Sequence, residues 1–107
     1  MAATLTWTES AVAHLADIAD YISQDSPQNA QRVVERIIAS VEHLQRFPFM
    51  GSIVPEFGSE DLRQVIWRKY RIVYRASADA VLIIAVVHGA RRLEDVITDE
   101  PDNDFEP

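Results

Sequence analysis

The sequence predicts one α+β domain whose elements follow the order β-α-α-β-β-β. Three observations lead to this prediction: a short alternating segment at the start, two amphipathic stretches with a brief polar connection, and three β-rich stretches in the second half. A length of 107 residues suits a single domain. We expect the two helices to form an antiparallel hairpin packed on one face of an antiparallel sheet.

The first strand and helix are predicted from the periodicity of residues 3–22. Residues 3–7 alternate, with Ala3, Leu5 and Trp7 on one side, which is typical of a short strand with one buried face. Thr8 then fits a helix N-cap. The apolar residues that follow it recur at helical spacing and form one stripe, which comprises Ala11, Leu15, Ile18 and Ile22.

The second helix is predicted to begin at Pro27. Ser26 is a natural N-cap, and proline is favoured at the first helical position because its missing N–H costs nothing there. We expect this helix to end near Phe47, because the residue before Pro48 is disfavoured in the α conformation. Its apolar face is broader than that of the first helix and comprises Ala30, Val33, Val34, Ile37, Ile38, Val41 and Leu44.

Three further strands are predicted after a loop that contains prolines and glycines. Leu62–Trp67 is rich in β-forming residues, Tyr70–Ala76 contains the string YRIVYR, and residues 81–87 are continuously apolar. The short links between these segments predict an antiparallel meander. The apolar run predicts that the last strand is covered on both faces or nearly so.

The net charge of −7 conceals a basic third of the chain. Residues 1–60 carry three basic and eight acidic side chains, residues 61–92 carry seven basic and two acidic ones, and residues 93–107 carry seven acidic ones and none that is basic. Local potential governs binding more than total charge does. We therefore predict a domain of residues 1–97 with a basic binding surface, followed by a disordered acidic tail over residues 98–107.

Composition argues against several classes of protein and site. There is no cysteine, no secretory signal and no apolar run of the ~20 residues that a membrane helix needs, so we expect a cytoplasmic protein. No metal or cofactor is expected, because the three histidines lack ligand spacing and the three glycines form no phosphate-binding loop. His14 and His43 are interpreted as ordinary surface residues.

Five strings resemble, in their order and spacing, the RelE/ParE superfamily of bacterial type II toxins. They are WTESAVAHLADIADYI, SPQNAQRVVERI, HLQRFPFMG, RQVIWRKYRIVYR and LIIAVVHGARR, which together extend over about residues 5–92. YRIVYR and VVHGARR resemble the ParE branch more than the RelE branch. The sequence departs from the family pattern at His14, where an acidic residue is usual, at Ser52, where arginine is common, and in its acidic tail.

The resemblance implies a RelE/ParE-like fold and one of two activities. RelE-type proteins cut messenger RNA on the ribosome, whereas ParE-type proteins bind DNA gyrase, block replication and require no catalytic residue. Both are held inactive by a cognate antitoxin whose C-terminal segment wraps the toxin. For this chain the resemblance implies a ParD-like antitoxin of the ribbon-helix-helix class.

The residues favour the ParE-type activity. RNA cleavage needs a base, an acid and cations around the phosphate. His88 is the one candidate base, and no histidine, tyrosine or lysine follows it. The acidic tail would also oppose attraction of a nucleic acid, so direct nucleic-acid binding is not expected. We predict a non-catalytic toxin that binds a protein such as DNA gyrase, with a RelE-type endoribonuclease and an inactive protein that only binds its antitoxin as the alternatives.

Two surfaces are predicted for these partners. Interface energies depend most on Trp, Tyr and Arg, and the candidate target-binding patch comprises Arg63, Trp67, Tyr70, Arg71, Arg75, His88, Arg91 and Arg92. A flexible antitoxin segment needs an apolar groove on the helices. The candidate groove residues are Val12, Leu15, Tyr21, Val34 and Ile38.

Overall fold

A computed structural model describes residues 2–89, in which the predicted element order is confirmed. The elements are β1 (Thr4–Trp7), α1 (Glu9–Ser23), α2 (Pro27–Ala39), a 3₁₀ helix η1 (Glu42–Gln45), β2 (Ser52–Ile53), β3 (Leu62–Trp67), β4 (Tyr70–Ala76) and β5 (Ala80–His88). The short β2 and η1 are additions to the prediction. None of the helices in this part of the chain is long and apolar enough to cross a membrane. Arg91, Arg92 and the predicted tail lie outside the described residues.

The five strands form one sheet in the order β1-β5-β4-β3-β2. The predicted antiparallel meander of β3, β4 and β5 is confirmed, and β2 also pairs antiparallel, with β3. β1 differs, because it lies parallel to β5. No tight turn joins these two strands, so the connection between them leaves either direction open. β5 therefore lies between β1 and β4 and is buried along most of its length, as its apolar run indicates.

Both predicted helix starts are confirmed by their caps. The Thr8 hydroxyl oxygen accepts a hydrogen bond from the N–H of Ala11 at 3.1 Å, and Ser26 accepts from the N–H of Asn29 at the same distance. The predicted end of the second helix near Phe47 was wrong. α2 ends at Ala39, and the hydroxyl of the next residue, Ser40, donates to the carbonyl of Ile37 at 2.6 Å. Such a local bond competes with continuation of the helix, and η1 follows.

The core has two layers, one on each face of the sheet. In β4, Ile72 and Tyr74 face the helices, whereas Val73 faces the other way. The helix-side layer includes Ala11, Leu15, Ile37, Val41, Leu44, Ile72, Tyr74 and Ile83. The smaller layer on the opposite face comprises Val54, Leu62, Val73, Ile84, Ala85 and Val87. The helices, β4 and β5 therefore share the main core, and this arrangement fixes the end of the β3–β4 hairpin beside them.

The edge of β5 beyond the end of β1 is completed by residues of the α1 segment. The N–H of Thr8 donates to the carbonyl of Ile83 at 3.0 Å, and the N–H of Val86 donates to Nδ1 of His14 at 3.2 Å. The interpretation of His14 as an ordinary surface residue was therefore wrong. It is half-buried and supplies an acceptor to the edge of β5 that faces β1, at a point beyond the last residue paired with β1. His43 is exposed, on η1.

Candidate functional site

The loop between β3 and β4 presents two cations beside two aromatic rings. Trp67 pairs with Tyr70 across the strands, and Arg68 and Lys69 form the two-residue turn between them. The Trp67 and Tyr70 rings are stacked, with 6.4 Å between centroids. The guanidinium carbon of Arg68 lies 5.1 Å from the centre of the Trp67 ring, within cation–π range.

The backbone of this turn is strained. Arg68 has a φ of +55°, in the left-handed region that favours glycine. A positive φ at the first loop residue alone is the pattern of a type II′ hairpin turn, where glycine is usual. An arginine held in such a conformation costs stability. The turn therefore places a guanidinium at the tip of the hairpin at an energetic cost.

The hairpin tip faces α2 across an open groove of about 640 Å³, which we call the hairpin groove. It is lined by Ile22, Asn29, Arg32, Val33, Arg36, Trp67, Arg68, Lys69 and Tyr70. Arg32 and Arg36 are one helical turn apart and both exposed. No carboxylate lines the groove, and no ion pair joins its four cations to an acidic residue within residues 2–89. The groove therefore has a concentrated positive field.

A second cavity of about 450 Å³, which we call the His88 cavity, lies on the other side of Lys69 and Tyr70. It is lined by His14, Asp17, Ile18, Tyr21, Ile22, Lys69, Tyr70, Val86 and His88. The edge of the His88 ring meets Tyr70, with 5.9 Å between centroids. Burial raises the pKa of the Tyr70 hydroxyl, and the neighbouring Tyr21 adds to the effect. Titratable groups thus surround the histidine.

These groups precede His88 in the sequence, on α1 and on the hairpin. No histidine, tyrosine or lysine follows His88 in the sequence, so the sequence near its end indicates no proton-transfer partner. The fold instead brings Lys69 and Tyr70 to it from β4 and its turn, and Asp17 and Tyr21 from α1. The sequence indicated only part of this arrangement around His88. Register in the meander would have placed Tyr70 opposite His88, but nothing local indicates that α1 crosses at that point.

Arg71, a residue of the predicted basic patch, is bound on the sheet face opposite the helices. Its guanidinium donates to both carboxylate oxygens of Glu56, at 2.7 and 2.9 Å, and to Oε1 of Gln64, at 2.6 and 3.0 Å. This hydrogen bonding holds the pKa of Glu56 below its ordinary value, against the opposing effect of burial. The positive charge of Arg71 is therefore largely offset, and its role here is to fix the loop that contains Glu56.

Arg63 and Arg75 also hold loops. Arg63 donates to the carbonyl oxygens of Phe49 and Gly51, at 3.0 and 3.1 Å, and so ties the segment before β2 to β3. Arg75 forms an ion pair with Asp61 at 2.9 Å. The pKa of Asp61 is lowered, first by a hydrogen bond from the Ser59 hydroxyl and then by the charge of Arg75.

The structure thus divides the predicted target-binding patch. Trp67, Tyr70 and His88 gather beside the helices, whereas Arg63, Arg71 and Arg75 bind loops elsewhere on β3 and β4. Arg91 and Arg92 lie outside the described residues. The cations that stand beside Trp67 and Tyr70 are Arg32, Arg36, Arg68 and Lys69. The spacing of Arg32 and Arg36 in the sequence indicates that they share one face of α2. The sequence does not indicate that this face lies opposite the tip of the β3–β4 hairpin.

The predicted antitoxin groove is partly available at the surface. Val12 and Tyr21 are 52% and 75% exposed, and Ile38 is 38% exposed with the half-buried Val34 one turn before it. The inclusion of Leu15 was wrong. It is 8% exposed and belongs to the core, because it lies on the stripe of α1 that packs against the sheet.

Comparison with known proteins identifies the family. The family model described as ParE toxin of type II toxin–antitoxin systems matches residues 5–93. This chain belongs to the ParE toxin family. The ParE branch indicated by the strings YRIVYR and VVHGARR is thereby confirmed as the family match.

Two curated proteins are similar to this ParE-family chain over most of its length. Toxin RelE2 of Caulobacter vibrioides is 34% identical over 90 residues, which cover 83% of this chain and 98% of the relative. Putative toxin Y4kP of Sinorhizobium fredii is 33% identical over 95 residues, 87% of this chain and 95% of the relative. A protein with a RelE name is therefore similar to a chain that matches the ParE family model.

Two solved structures share the fold. The chromosomal ParDE toxin–antitoxin system from P. aeruginosa has a chain with a TM-score of 0.68 at 24% identity, covering 80% of this chain and 95% of that one. The toxin–antitoxin complex RelBE2 from Mycobacterium tuberculosis gives a TM-score of 0.56 at 22% identity, over 85% and 95% respectively. At these identities the likeness concerns the fold, and it agrees with the α+β arrangement of the RelE/ParE superfamily.

Proposed function

We propose that this ParE-family toxin acts by binding a protein target such as DNA gyrase, without a catalytic step of its own. The observation that carries the proposal is the hairpin groove. Its lining combines four cations with Trp67 and Tyr70, and no carboxylate of the groove neutralises them. Trp, Tyr and Arg are the residue types that contribute most to interface energies.

The charge of the hairpin groove defines the partner surface that fits it. An acidic surface would pair with Arg32, Arg36 and Lys69, while the ring of Trp67, stacked on the largely buried Tyr70, offers an apolar contact. Complementary charge raises the association rate and orients the two proteins. The loop arginines Arg63 and Arg71 lie outside this surface, because each holds a loop elsewhere on β3 and β4.

The second proposed partner is a cognate antitoxin, ParD-like and of the ribbon-helix-helix class. The solved structures that share the fold come from ParDE and RelBE2 toxin–antitoxin systems. Apolar side chains on α1 and α2 supply the surface, namely the exposed Val12, Tyr21 and Ile38 and the half-buried Val34. A flexible segment that folds on binding uses such a surface. Target and antitoxin would meet the domain, residues 1–97, in the cytoplasm.

Induced expression in a bacterial host tests the target. We expect incorporation of labelled thymidine to fall before incorporation of labelled amino acids, and the purified protein to inhibit supercoiling by DNA gyrase. The double variant Arg68→Gln/Lys69→Gln should lose both effects. The matched control is Arg46→Gln, which removes an exposed cation from outside the groove. Retention of both effects by the double variant would contradict the proposal.

Co-expression tests the antitoxin. A small gene adjacent to this one and encoding a ribbon-helix-helix protein should restore growth, and Ile38→Asp should abolish that rescue, because a carboxylate there opposes burial of an apolar segment. Rescue should survive Phe49→Asp, a change to another exposed apolar residue outside the two helices.

A RelE-type ribonuclease is the second candidate, and the His88 cavity favours it. The cavity brings His88 together with Lys69, Tyr70 and Tyr21, which are groups able to transfer protons or stabilise a phosphate. The similarity to toxin RelE2 of Caulobacter vibrioides points the same way. Under this alternative protein synthesis falls first, and His88→Ala alone abolishes toxicity while antitoxin binding persists.

A further inference from the structure

We infer that the acidic segment of residues 93–107 binds the hairpin groove of its own chain and competes there with other acidic partners. The inference concerns occupancy of the groove, and it does not depend on which protein the toxin poisons. Two independent features support it: the point at which the chain leaves β5, and the complementary charges of groove and segment.

The chain leaves β5 against the groove. The N–H of Gly89 donates to the carbonyl oxygen of Lys69 with 2.6 Å between nitrogen and oxygen. A β carbon on Gly89 would lie 3.2 Å from that same oxygen. Lys69 lines the hairpin groove. The segment that follows Gly89 in the sequence therefore starts at the rim of the groove.

The charges of the two parts are complementary. Within residues 2–89, the groove is lined by Arg32, Arg36, Arg68 and Lys69 and by no acidic residue. Residues 93–107 contain seven carboxylates and no cation. Charges of opposite sign at a surface attract within a Debye length of about 8–10 Å at moderate salt. A tethered segment also experiences a local concentration in the millimolar range, so weak individual contacts suffice for substantial occupancy.

The length of chain between the two parts is sufficient. Glu94, the first carboxylate, stands five residues after Gly89, and extended backbone spans up to about 3.3–3.6 Å per residue. Glu94 can thus lie up to about 17 Å from the rim, and the six carboxylates after it have longer reach. Arg32 and Arg36 line the same groove as Lys69, at whose rim the segment starts.

Self-occupancy has a consequence for binding. A partner that uses the groove must displace the segment, so its apparent affinity falls in proportion to the fraction of molecules in which the groove is open. An antitoxin or target with a stronger acidic surface would then be favoured over weakly acidic proteins. The segment acts as a built-in competitor that raises the selectivity of a strongly basic surface.

Paramagnetic relaxation in the full chain tests the inference directly. The sequence contains no cysteine, so Asn103→Cys accepts a single nitroxide label without changing the charge of the segment. The indole N–H of Trp67 reports on the groove. Trp7, in β1 and three strands away from β3, is the internal control. We expect the Trp67 signal to be broadened much more than that of Trp7 at low salt, and to recover at about 1 M salt, where the Debye length is about 3 Å.

Two charge variants complete the test. Arg36→Gln should reduce the broadening of Trp67, whereas Arg46→Gln, which removes one exposed cation outside the groove, should leave it unchanged. Equal broadening of Trp67 and Trp7 would overturn the inference, since the segment would then pair with the adjacent Arg91 and Arg92 or with solvent. Equal effects of the two variants would also overturn it. No target protein enters the measurement, so its outcome is separate from that of the gyrase and growth assays.

Discussion

The buried hydroxyl of Tyr74 accepts a hydrogen bond from the backbone N–H of Gly51, with 2.9 Å between oxygen and nitrogen. A β carbon at position 51 would lie 2.6 Å from that hydroxyl oxygen and 2.6 Å from the carbonyl oxygen of Gln64. Carbon and oxygen do not approach so closely without displacement of one of them. Glycine is therefore required where the segment before β2 crosses β3 and β4.

Gly51→Ala should destabilise the protein by about 1–3 kcal/mol, the usual cost of overpacking a filled interior. In a domain of this size each kcal/mol lowers Tm by about 4–8 °C, so thermal unfolding followed by circular dichroism will detect the change. Ser52→Ala, at the exposed neighbouring position, should leave Tm nearly unchanged. Equal Tm values for Gly51→Ala and the parent would contradict the steric argument.

The ion pair of Arg71 and Glu56 should make the free energy of unfolding depend on pH in the acidic range. The pKa of Glu56 is lowered in the folded state from a reference value of 4.5. Stabilisation by its carboxylate is thus complete above about pH 4.5 and is lost as the pH falls through the folded-state pKa. Glu56→Gln should cost about 1–2 kcal/mol at pH 7, because the pair is partly buried and doubly hydrogen-bonded.

Urea unfolding of parent and Glu56→Gln at pH 7 and pH 3 measures this dependence. The difference between their free energies of unfolding should shrink at the lower pH, because protonation of Glu56 in the parent increases as the pH falls and removes the charged partner of Arg71. The pKa of Asp61 is also lowered, by the hydrogen bond from Ser59 and the charge of Arg75, but Asp61 is present in both proteins and its effect cancels in the difference. A difference that stays constant between the two pH values would show that the carboxylate charge at position 56 does not contribute.

Local signals were sufficient to predict the two α-helices, the residues at which they begin, and the four longer strands, but not the short β2 and η1. Thr8 and Ser26 cap their helices within three residues, so each start can be recognised in a few letters of sequence. The end of α2 is harder, because the Ser40 hydroxyl competes with the helix at a position where an apolar pattern continues. The parallel pairing of β1 with β5 joins residues more than seventy positions apart and has no local signature.

The candidate site was predictable only in part, for the same reason. Trp67, Tyr70 and His88 were found because residue type and strand end indicate them. The presence of an arginine in a strand does not show whether its side chain binds a partner protein or holds a neighbouring loop of the same chain. The partners of Arg71 and Arg75 lie 15 and 14 residues away, respectively, on loops. The Arg32 and Arg36 side of the hairpin groove is brought to Lys69 by packing of α2 on the sheet, which no spacing in the chain encodes.

Arg68→Gly should stabilise the fold and weaken the toxin. Glycine accommodates the φ of +55° without a β carbon, and we expect a gain of about 1 kcal/mol. The variant also loses the guanidinium over Trp67, so growth inhibition should decrease. Lys69→Gly is the matched control: it removes one charge from the same turn, but Lys69 has no positive φ, so this variant should be less stable than the parent. A Tm below that of the parent in both Arg68→Gly and Lys69→Gly would contradict the assignment of backbone strain to position 68.

The hydrogen bond from Val86 to His14 should contribute to the attachment of α1 to β5. His14→Ala leaves the buried N–H of Val86 without its acceptor, at an expected cost of about 1–3 kcal/mol. His14→Asn should recover part of the loss, since the amide oxygen can occupy the position of Nδ1. His43→Ala, on the exposed face of η1, should have little effect.

Hydrogen exchange distinguishes the loss of this hydrogen bond from a general loss of packing, because exchange at the Val86 amide should accelerate in His14→Ala and be slowed again in His14→Asn. If the two substitutions were equally destabilising and exchange at Val86 were unchanged, the contribution of His14 would be one of packing alone.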